Sequence, residues 1–246
     1  MSSFRPIYFL FFLFLLVSNI VTAQQWGRFT LYSIQGDSRA YMVDTSGVRY
    51  HYWSGMNFGN GYNCHLLTGG KLLRTVVPPN NGWNAGGVTG ILQYYNWQGD
   101  LIWNYQLQNS TYSLHHDVVP LPNGNILAAH EGEGAVREVD PQGKVVWEYT
   151  GVTNTGEAQR LANGNTLICC GTQKRLIEVT PNKQIAWEFK AEDAPELNVT
   201  WVSSVQQLKN GNLLVGNFIR GQEGKGAHAY EITRDKKVVW KWDDHS

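Results

Sequence analysis

Apolar and polar residues alternate along this chain in short runs, as in Val145-Val146-Trp147-Glu148-Tyr149, and each run ends at a cluster of turn-forming residues. A period of two is the signature of a half-buried β-strand. Beyond the N-terminus no window carries the 3.6-residue apolar period of an amphipathic helix, so almost no helix is expected. Two turn signatures punctuate the runs. One reads Leu-x-Asn-Gly-Asn-x-Leu at Leu121–Leu127, Leu161–Leu167 and Leu208–Leu214, with a weaker copy at Leu67–Leu73. Asn-Gly between apolar runs predicts a tight hairpin, in its commonest form a type I′ turn with positive φ at both central residues.

The other signature is Asp-x-x-Gly followed by Trp-x-aromatic. Its best copy is Asp140, Gly143, Trp147 and Tyr149, and a second is Asn96, Gly99, Trp103 and Tyr105. A third keeps Trp187 and Phe189 with Thr180 and Lys183 in the turn; a fourth has Thr233, Lys236, Trp240 and Trp242. The earliest has Asp44, Gly47 and Trp53, with His51 where tryptophan stands elsewhere. The turns fall at residues 47, 99, 143, 183 and 236, spaced 40 to 53 residues apart. Two hairpin signals per repeat give about four strands per repeat, and four-stranded units at this period are propeller blades. The expected fold is therefore all-β: a β-propeller of about four complete four-stranded blades plus one partial blade. The complete blades are expected at 61–105, 113–149, 155–189 and 201–242, with only an outer hairpin at 27–53. Such a ring closes imperfectly, or the chain is a truncated form of a longer one.

Composition sharpens this picture in three places. Ten tryptophans in 246 residues is a high count, and four share one repeat position, which suits a flat ring filling the wedge between blades. Residues 1–23 read as a Sec signal peptide, with Arg5, the apolar run Ile7–Val17 and the small-residue site Val21-Thr22-Ala23. The propeller is thus assigned to 24–246, exported and periplasmic or extracellular. Basic and acidic residues number 20 each, and only Arg5 lies in the leader, so the mature surface is nearly neutral. That balance argues against nucleic acid or a charged membrane face as partner. No spacing of His, Cys, Asp or Glu suggests a metal site, and no cofactor is expected. Of three cysteines, Cys169 and Cys170 are adjacent; they read either as a strained vicinal disulfide or, preferably, as small apolar fillers on a strand.

The chemically richest stretch is Ser113-Leu114-His115-His116-Asp117-Val118-Val119-Pro120, which leads into an Asn-Gly turn. By blade order it is an innermost strand beside the central channel. Aligning the hairpin turns sets Asp117 level with Asn63, Glu157 and Ser204, and His116 level with Tyr62. A polar ring at one height on the axis is what a channel-mouth site looks like. His115 and His116 are the catalytic candidates. Asp117, Tyr62, His65 and Glu157 are the neighbouring candidates for holding substrate. Hydrogen-bonding roles alone for the two histidines are the competing reading.

The strings Gly86-Gly87, Gln93 to Trp103, His115-His116-Asp117 and Leu121-Pro122-Asn123-Gly124-Asn125 resemble bacterial arylsulfotransferases, most specifically across about residues 61–131. The resemblance implies a periplasmic six-bladed propeller that moves a sulfuryl group from one phenol to another through a sulfohistidine. Its partners would be an aryl sulfate and a phenol. Imidazole suits this chemistry, being nucleophilic near neutral pH and able to carry the group transiently. The family's later channel histidine is replaced here by Trp201-Val202-Ser203-Ser204, and His228, before Ala229-Tyr230-Glu231, stands where the family has its sulfate-binding arginine. The nucleophile position of the family lies beyond residue 246. Little or no transfer by residues 1–246 alone is therefore expected, and a catalytically inactive ligand-binding or interaction propeller is the alternative.

Overall fold

The structure is a computed structural model that describes residues 27–79, 82, 87, 89–110, 112–131, 134–219 and 221–243; at 115–117 and 131 it describes the backbone alone. The leader assigned to 1–23 lies outside the described residues. Among the described residues nineteen strands form five antiparallel sheets in chain order. The first sheet holds β1 (Phe29–Ser33), β2 (Ala40–Asp44) and β3 (Arg49–Trp53). The second holds β4 (Asn60–Leu67), β5 (Lys71–Val76), β6 (Ile91–Tyr95) and β7 (Leu101–Gln106). The third holds β8 (Ser113–Pro120), β9 (Ile126–Glu131), β10 (Ala135–Val139) and β11 (Val145–Thr150). The fourth holds β12 (Thr155–Arg160), β13 (Thr166–Cys170), β14 (Arg175–Val179) and β15 (Ile185–Lys190). The fifth holds β16 (Val202–Gln207), β17 (Leu213–Asn217), β18 (Ala229–Ile232) and β19 (Val238–Trp242). The only helical pieces among the described residues are two short 3₁₀ turns, Ala191–Asp193 and Pro195–Leu197.

These are the blades of a β-propeller, four complete and one partial. The partial blade differs from the hairpin expected at 27–53, because Phe29–Ser33 adds a third strand. It pairs along β2 from Phe29 opposite Asp44 to Ser33 opposite Ala40, and no Asn-Gly turn announces it. A second difference lies in the turns. Gly124, Gly164 and Gly211 have φ of 87°, 85° and 86°, but the asparagines before them are not among the residues with positive φ. Gly124 N donates to Leu121 O at 2.9 Å and Leu121 N to Asn125 O at 2.8 Å. This is a type I turn closed by a glycine in the left-handed position, not type I′. Both asparagines of the motif also reach across the sheet. Asn123 and Asn125 donate to Glu138 Oε1 at 3.1 and 2.6 Å, and Asn163 and Asn165 repeat this at Glu178.

Among the described residues four apolar cores link the five sheets. Ala40, Trp53, Leu72 and Tyr95 join the first to the second; Leu73, Leu92, Leu114 and Ala128 join the second to the third. Leu127, Val136, Ile168 and Ile177 join the third to the fourth, and Leu176, Phe189, Val215 and Tyr230 the fourth to the fifth. No core among the described residues joins the fifth sheet to the first. Aromatic side chains reinforce each junction. Trp53 Nε1 donates to Asn96 O at 2.8 Å, Trp147 Nε1 to Pro181 O at 3.0 Å, and Trp187 Nε1 to Arg234 O at 2.8 Å. At the remaining junction the Tyr105 hydroxyl donates to Gly143 O. Every acceptor lies in the turn before the last strand of the next sheet, so the tryptophan repeat and the turn repeat are two halves of one contact.

Arg74 fixes the entry into the second sheet. It is fully buried, and all its partners are neutral: Asn60 Oδ1 and Gln93 Oε1 at 2.7 Å each, and the carbonyls of Asn57 and Phe58. Burial lowers its pKa, and the Tyr95 ring 5.4 Å away offsets part of that cost.

Candidate functional site

The innermost strands are β4, β8, β12 and β16, the first of each complete sheet, and each is bulged against its neighbour. On β4, Asn60 faces Val76 and Cys64 faces Arg74, so residues 61–63 oppose Thr75 alone. On β8, Leu114 faces His130 and Val118 faces Ala128, so residues 115–117 oppose Ala129 alone. On β12, residues 156 and 157 oppose Cys169, and on β16 Ser203 is the extra residue. The polar ring of the sequence is therefore a ring of β-bulges. Bulges re-aim side chains and gather next to active sites.

Local chemistry explains how the bulges hold. Thr75 Oγ1 accepts from Tyr62 N at 3.1 Å and from Asn63 N at 3.0 Å, satisfying two amides that the ladder leaves over. Gly156 lets β12 approach β16: a Cβ there would stand 2.5 Å from Ser203 O, which is backbone and cannot give way. Side chains of one inner strand also bond the backbone edge of the next. His65 Nε2 lies 2.8 Å from Val118 O, Glu157 Oε2 accepts from Val205 N at 3.2 Å, and Gln159 Oε1 accepts from Gln207 N at 3.0 Å. A carbonyl can only accept, so His65 carries its proton on Nε2. Burial lowers its pKa and the bond to Val118 offsets part of that, which keeps the ring neutral.

Beside this ring is a cavity of about 500 Å³, lined on the axis by Val119, Glu157, Gln159, Ser204 and Gln206 and running onto Leu214, Gly216 and Ala229 of the fifth sheet. Its polar groups are carboxylate, amide and hydroxyl; its floor is aliphatic. Such a lining can hold a small amphiphilic molecule with an aromatic body and a polar head.

The structure brings Tyr62, residues 115–117 and Glu157 to bulges at one level, with His65 bridging two inner strands close by. The side chains of His115, His116 and Asp117 lie outside the described residues; their backbone is in β8. The Tyr62 hydroxyl accepts from Gly87 N at 3.1 Å, tying it to the loop above β5. His228 is not with the ring. It precedes β18, the third strand out from the axis, and its ring packs 5.4 Å from that of Trp242 on the outermost strand. Gln159 and Gln206 carry no motif in the sequence, yet each lies two residues from a ring member, Glu157 and Ser204. The period of two on an inner strand is the signal that marks them. Among the described residues, no group of three or more His, Cys, Asp or Glu is placed to hold a metal ion. No helix among them is long and apolar enough to cross a membrane.

A propeller with a bulged, polar inner ring defines the class. The family model described as Arylsulfotransferase (ASST) matches residues 15–150, more than half of the chain, and the chain belongs to that family. No curated protein matches the sequence. Among solved structures, a protein of unknown function from Bacteroides caccae is similar at 20% identity and a TM-score of 0.65, over 88% of this chain and 78% of that one. A streptogramin B lyase matches at 11% identity and a TM-score of 0.59, over 89% of this chain and 66% of its own. A catalytically inactive virginiamycin B lyase from Staphylococcus aureus, solved with quinupristin, matches at 13% identity and a TM-score of 0.59, over 89% of this chain and 75% of its own. At these identities the likeness is one of fold.

Proposed function

We propose that this chain binds an aryl sulfate at the propeller axis and passes its sulfuryl group to a phenol, with His115 and His116 as the histidines of the site. The observation that carries this reading is the bulge at residues 115–117, where a His-His-Asp triplet falls on an inner strand within the segment matched by the arylsulfotransferase family. In the first step an imidazole nitrogen forms the N–S bond while the S–O bond of the donor breaks, and the donor leaves as a phenolate that takes up a proton. In the second step the acceptor hydroxyl attacks sulfur, gives up its proton and frees the imidazole. Histidine donors at the sulfate oxygens would stabilise the charge that develops there. The apolar segment Ile7–Val17 supports a site of action outside the cytoplasm.

The test is release of nitrophenolate from p-nitrophenyl sulfate in the presence of a phenol acceptor, for the wild type and for His115→Ala/His116→Ala. Release by the wild type that the double variant loses supports this reading, against the sequence expectation of little or no transfer by residues 1–246 alone. A second reading, binding without turnover, is favoured by the placement of His228 against Trp242. It predicts histidine-dependent binding of the aryl sulfate with no nitrophenolate from either protein.

A further inference from the structure

Neighbouring sheets share a recurring contact, and the second junction lacks it. At the third junction Arg160 bonds Glu138 at 2.7 Å and lies 5.2 Å over the Trp147 ring. At the fourth Arg234 bonds Glu178 and lies 4.4 Å over the Trp187 ring. Each guanidinium is held by a glutamate on the third strand of a sheet and the tryptophan opposite it on the fourth. Arg160 ends an inner strand, and Arg234 stands in the turn before an outermost one. At the first junction Trp97, at the turn position of Arg234, fills the space instead by stacking on the His51 ring at 3.8 Å.

At the second junction neither charged partner is present. Register places Tyr94 where the glutamates stand: it faces Leu73 and Trp103, as Glu138 faces Leu127 and Trp147. Pro120, the residue before Leu121, holds the place of Arg160, and Pro141 that of Arg234. Lys71 stands where Asn125 and Asn165 do, the asparagines that donate to those glutamates at 2.6 Å. With carboxylate and guanidinium both gone, a cavity of about 560 Å³ remains, lined by Leu66, Lys71, Tyr94, Pro120, Leu121 and Pro141 among others. It lies between two complete sheets, at the turn end of β4 and β8, and shares no lining residue with the cavity on the axis.

The polarity of this cavity is the reverse of its sister junctions. Lys71 is exposed at the rim and in no ion pair among the described residues. The Tyr94 ring packs 4.8 Å from that of Trp103, and its hydroxyl makes no hydrogen bond among the described residues. Burial raises the Tyr94 pKa, so the hydroxyl keeps its proton and can donate. Asp140, beside Pro141, is occupied by its own turn, accepting from Gln142 N at 2.9 Å and Lys144 N at 2.8 Å. The walls are thus apolar, and the two unused polar groups are both donors.

We propose that this cavity binds a small aromatic molecule carrying one negative charge, in its simplest form an aryl carboxylate. The aromatic body lies among Pro120, Pro141 and Tyr94, and the carboxylate accepts from Lys71 and from the Tyr94 hydroxyl. The volume is in the range of small-molecule sites. This inference does not depend on sulfuryl transfer at the axis.

Calorimetric titration of p-phenylbenzoate tests it. The wild type should bind saturably, with an affinity that falls as salt is added. Lys71→Glu changes an exposed side chain and should weaken binding at least about fivefold. Tyr94→Glu/Pro141→Arg rebuilds the ion pair of the fourth junction and should abolish binding. Circular dichroism checks its fold, and Lys71→Glu carries the test alone if that variant does not fold. His115→Ala/His116→Ala should bind as the wild type does. A wild type that does not bind overturns the proposal, as does an affinity unchanged in Lys71→Glu or lost in His115→Ala/His116→Ala.

Discussion

Cys169 and Cys170 are neighbours on β13, yet they belong to different cores: Cys169 packs with the fourth and fifth sheets and Cys170 with the third and fourth. Successive side chains on a strand point to opposite faces. Both are fully buried and neither is in a disulfide, so they act as apolar fillers rather than a vicinal pair. Burial pushes the Cys170 thiol up to about 12. In native protein a thiol reagent should therefore titrate Cys64 alone, and slowly, since burial raises that pKa too. All three should react in denaturant. Rapid native reaction of Cys169 or Cys170 would contradict the packing.

The Trp187 indole bonds Arg234 O and lies under the Arg234 guanidinium, whereas Trp240 meets no neighbouring sheet among the described residues. Trp187→Ala should cost about 3 kcal/mol, in the lower range for large-to-small aromatic truncation. Trp240→Ala, in dilute protein, should cost less than about 1 kcal/mol. Urea midpoints at matched m-values read the difference, and equal costs would mean the indole contacts do not hold the sheets together.

Two turns have lost their glycine. Lys183 and Lys236 each sit at φ of 65°, where Gly99 and Gly143 stand in the better copies of the repeat. A side chain in the left-handed region costs roughly 1–2 kcal/mol, partly offset by the greater unfolded-state freedom of glycine. Lys183→Gly should raise stability by about 0.5–1 kcal/mol. The converse change at the third sheet, Gly143→Ala, should lower stability by more than that gain, because a Cβ there collides with the Tyr105 ring as well as straining the backbone. Thermal and urea unfolding check both variants. A Lys183→Gly protein less stable than the wild type would show that the lysine makes contacts worth more than its backbone strain.

His130 is fully buried, and neither ring nitrogen has a hydrogen-bond partner among the described residues. Burial, with the nearby Arg137 charge, lowers its pKa to about 3. In the unfolded chain the value returns to about 6.5, so the unfolded state binds the proton more tightly. Stability from this residue is complete above about pH 6.5 and is lost toward pH 3, at up to about 1.4 kcal/mol per pH unit. His130→Leu should flatten that slope in denaturation measured at a series of pH values. An unchanged slope would show that the ring is protonated in the fold.

The repeat is legible in the sequence because it is written twice, in turns and in tryptophans, and both strings serve one contact. The third strand of the first sheet is not, since Phe29–Ser33 lacks the Asn-Gly turn that marks its counterparts. The ring of polar residues can be aligned from the hairpins, but a bulge has no composition of its own. That three residues of β8 face one of β9 emerges only from register. Arg74 is invisible for another reason: a charge in a strand reads as solvent-facing unless its neutral acceptors, scattered from Asn57 to Gln93, are seen together. His228 is matched to the family's arginine by its place in the chain, and that match does not announce the contact of its ring with Trp242.

The central claim is that the inner-strand bulge at residues 115–117 makes the ligand site. Calorimetric titration of p-nitrophenyl sulfate into the wild type and into His115→Ala/His116→Ala tests it most directly. The account predicts saturable binding by the wild type and affinity at least about tenfold weaker in the double variant, a loss of about 1.4 kcal/mol or more. Equal affinity in the two proteins would contradict it and move the site away from the axis.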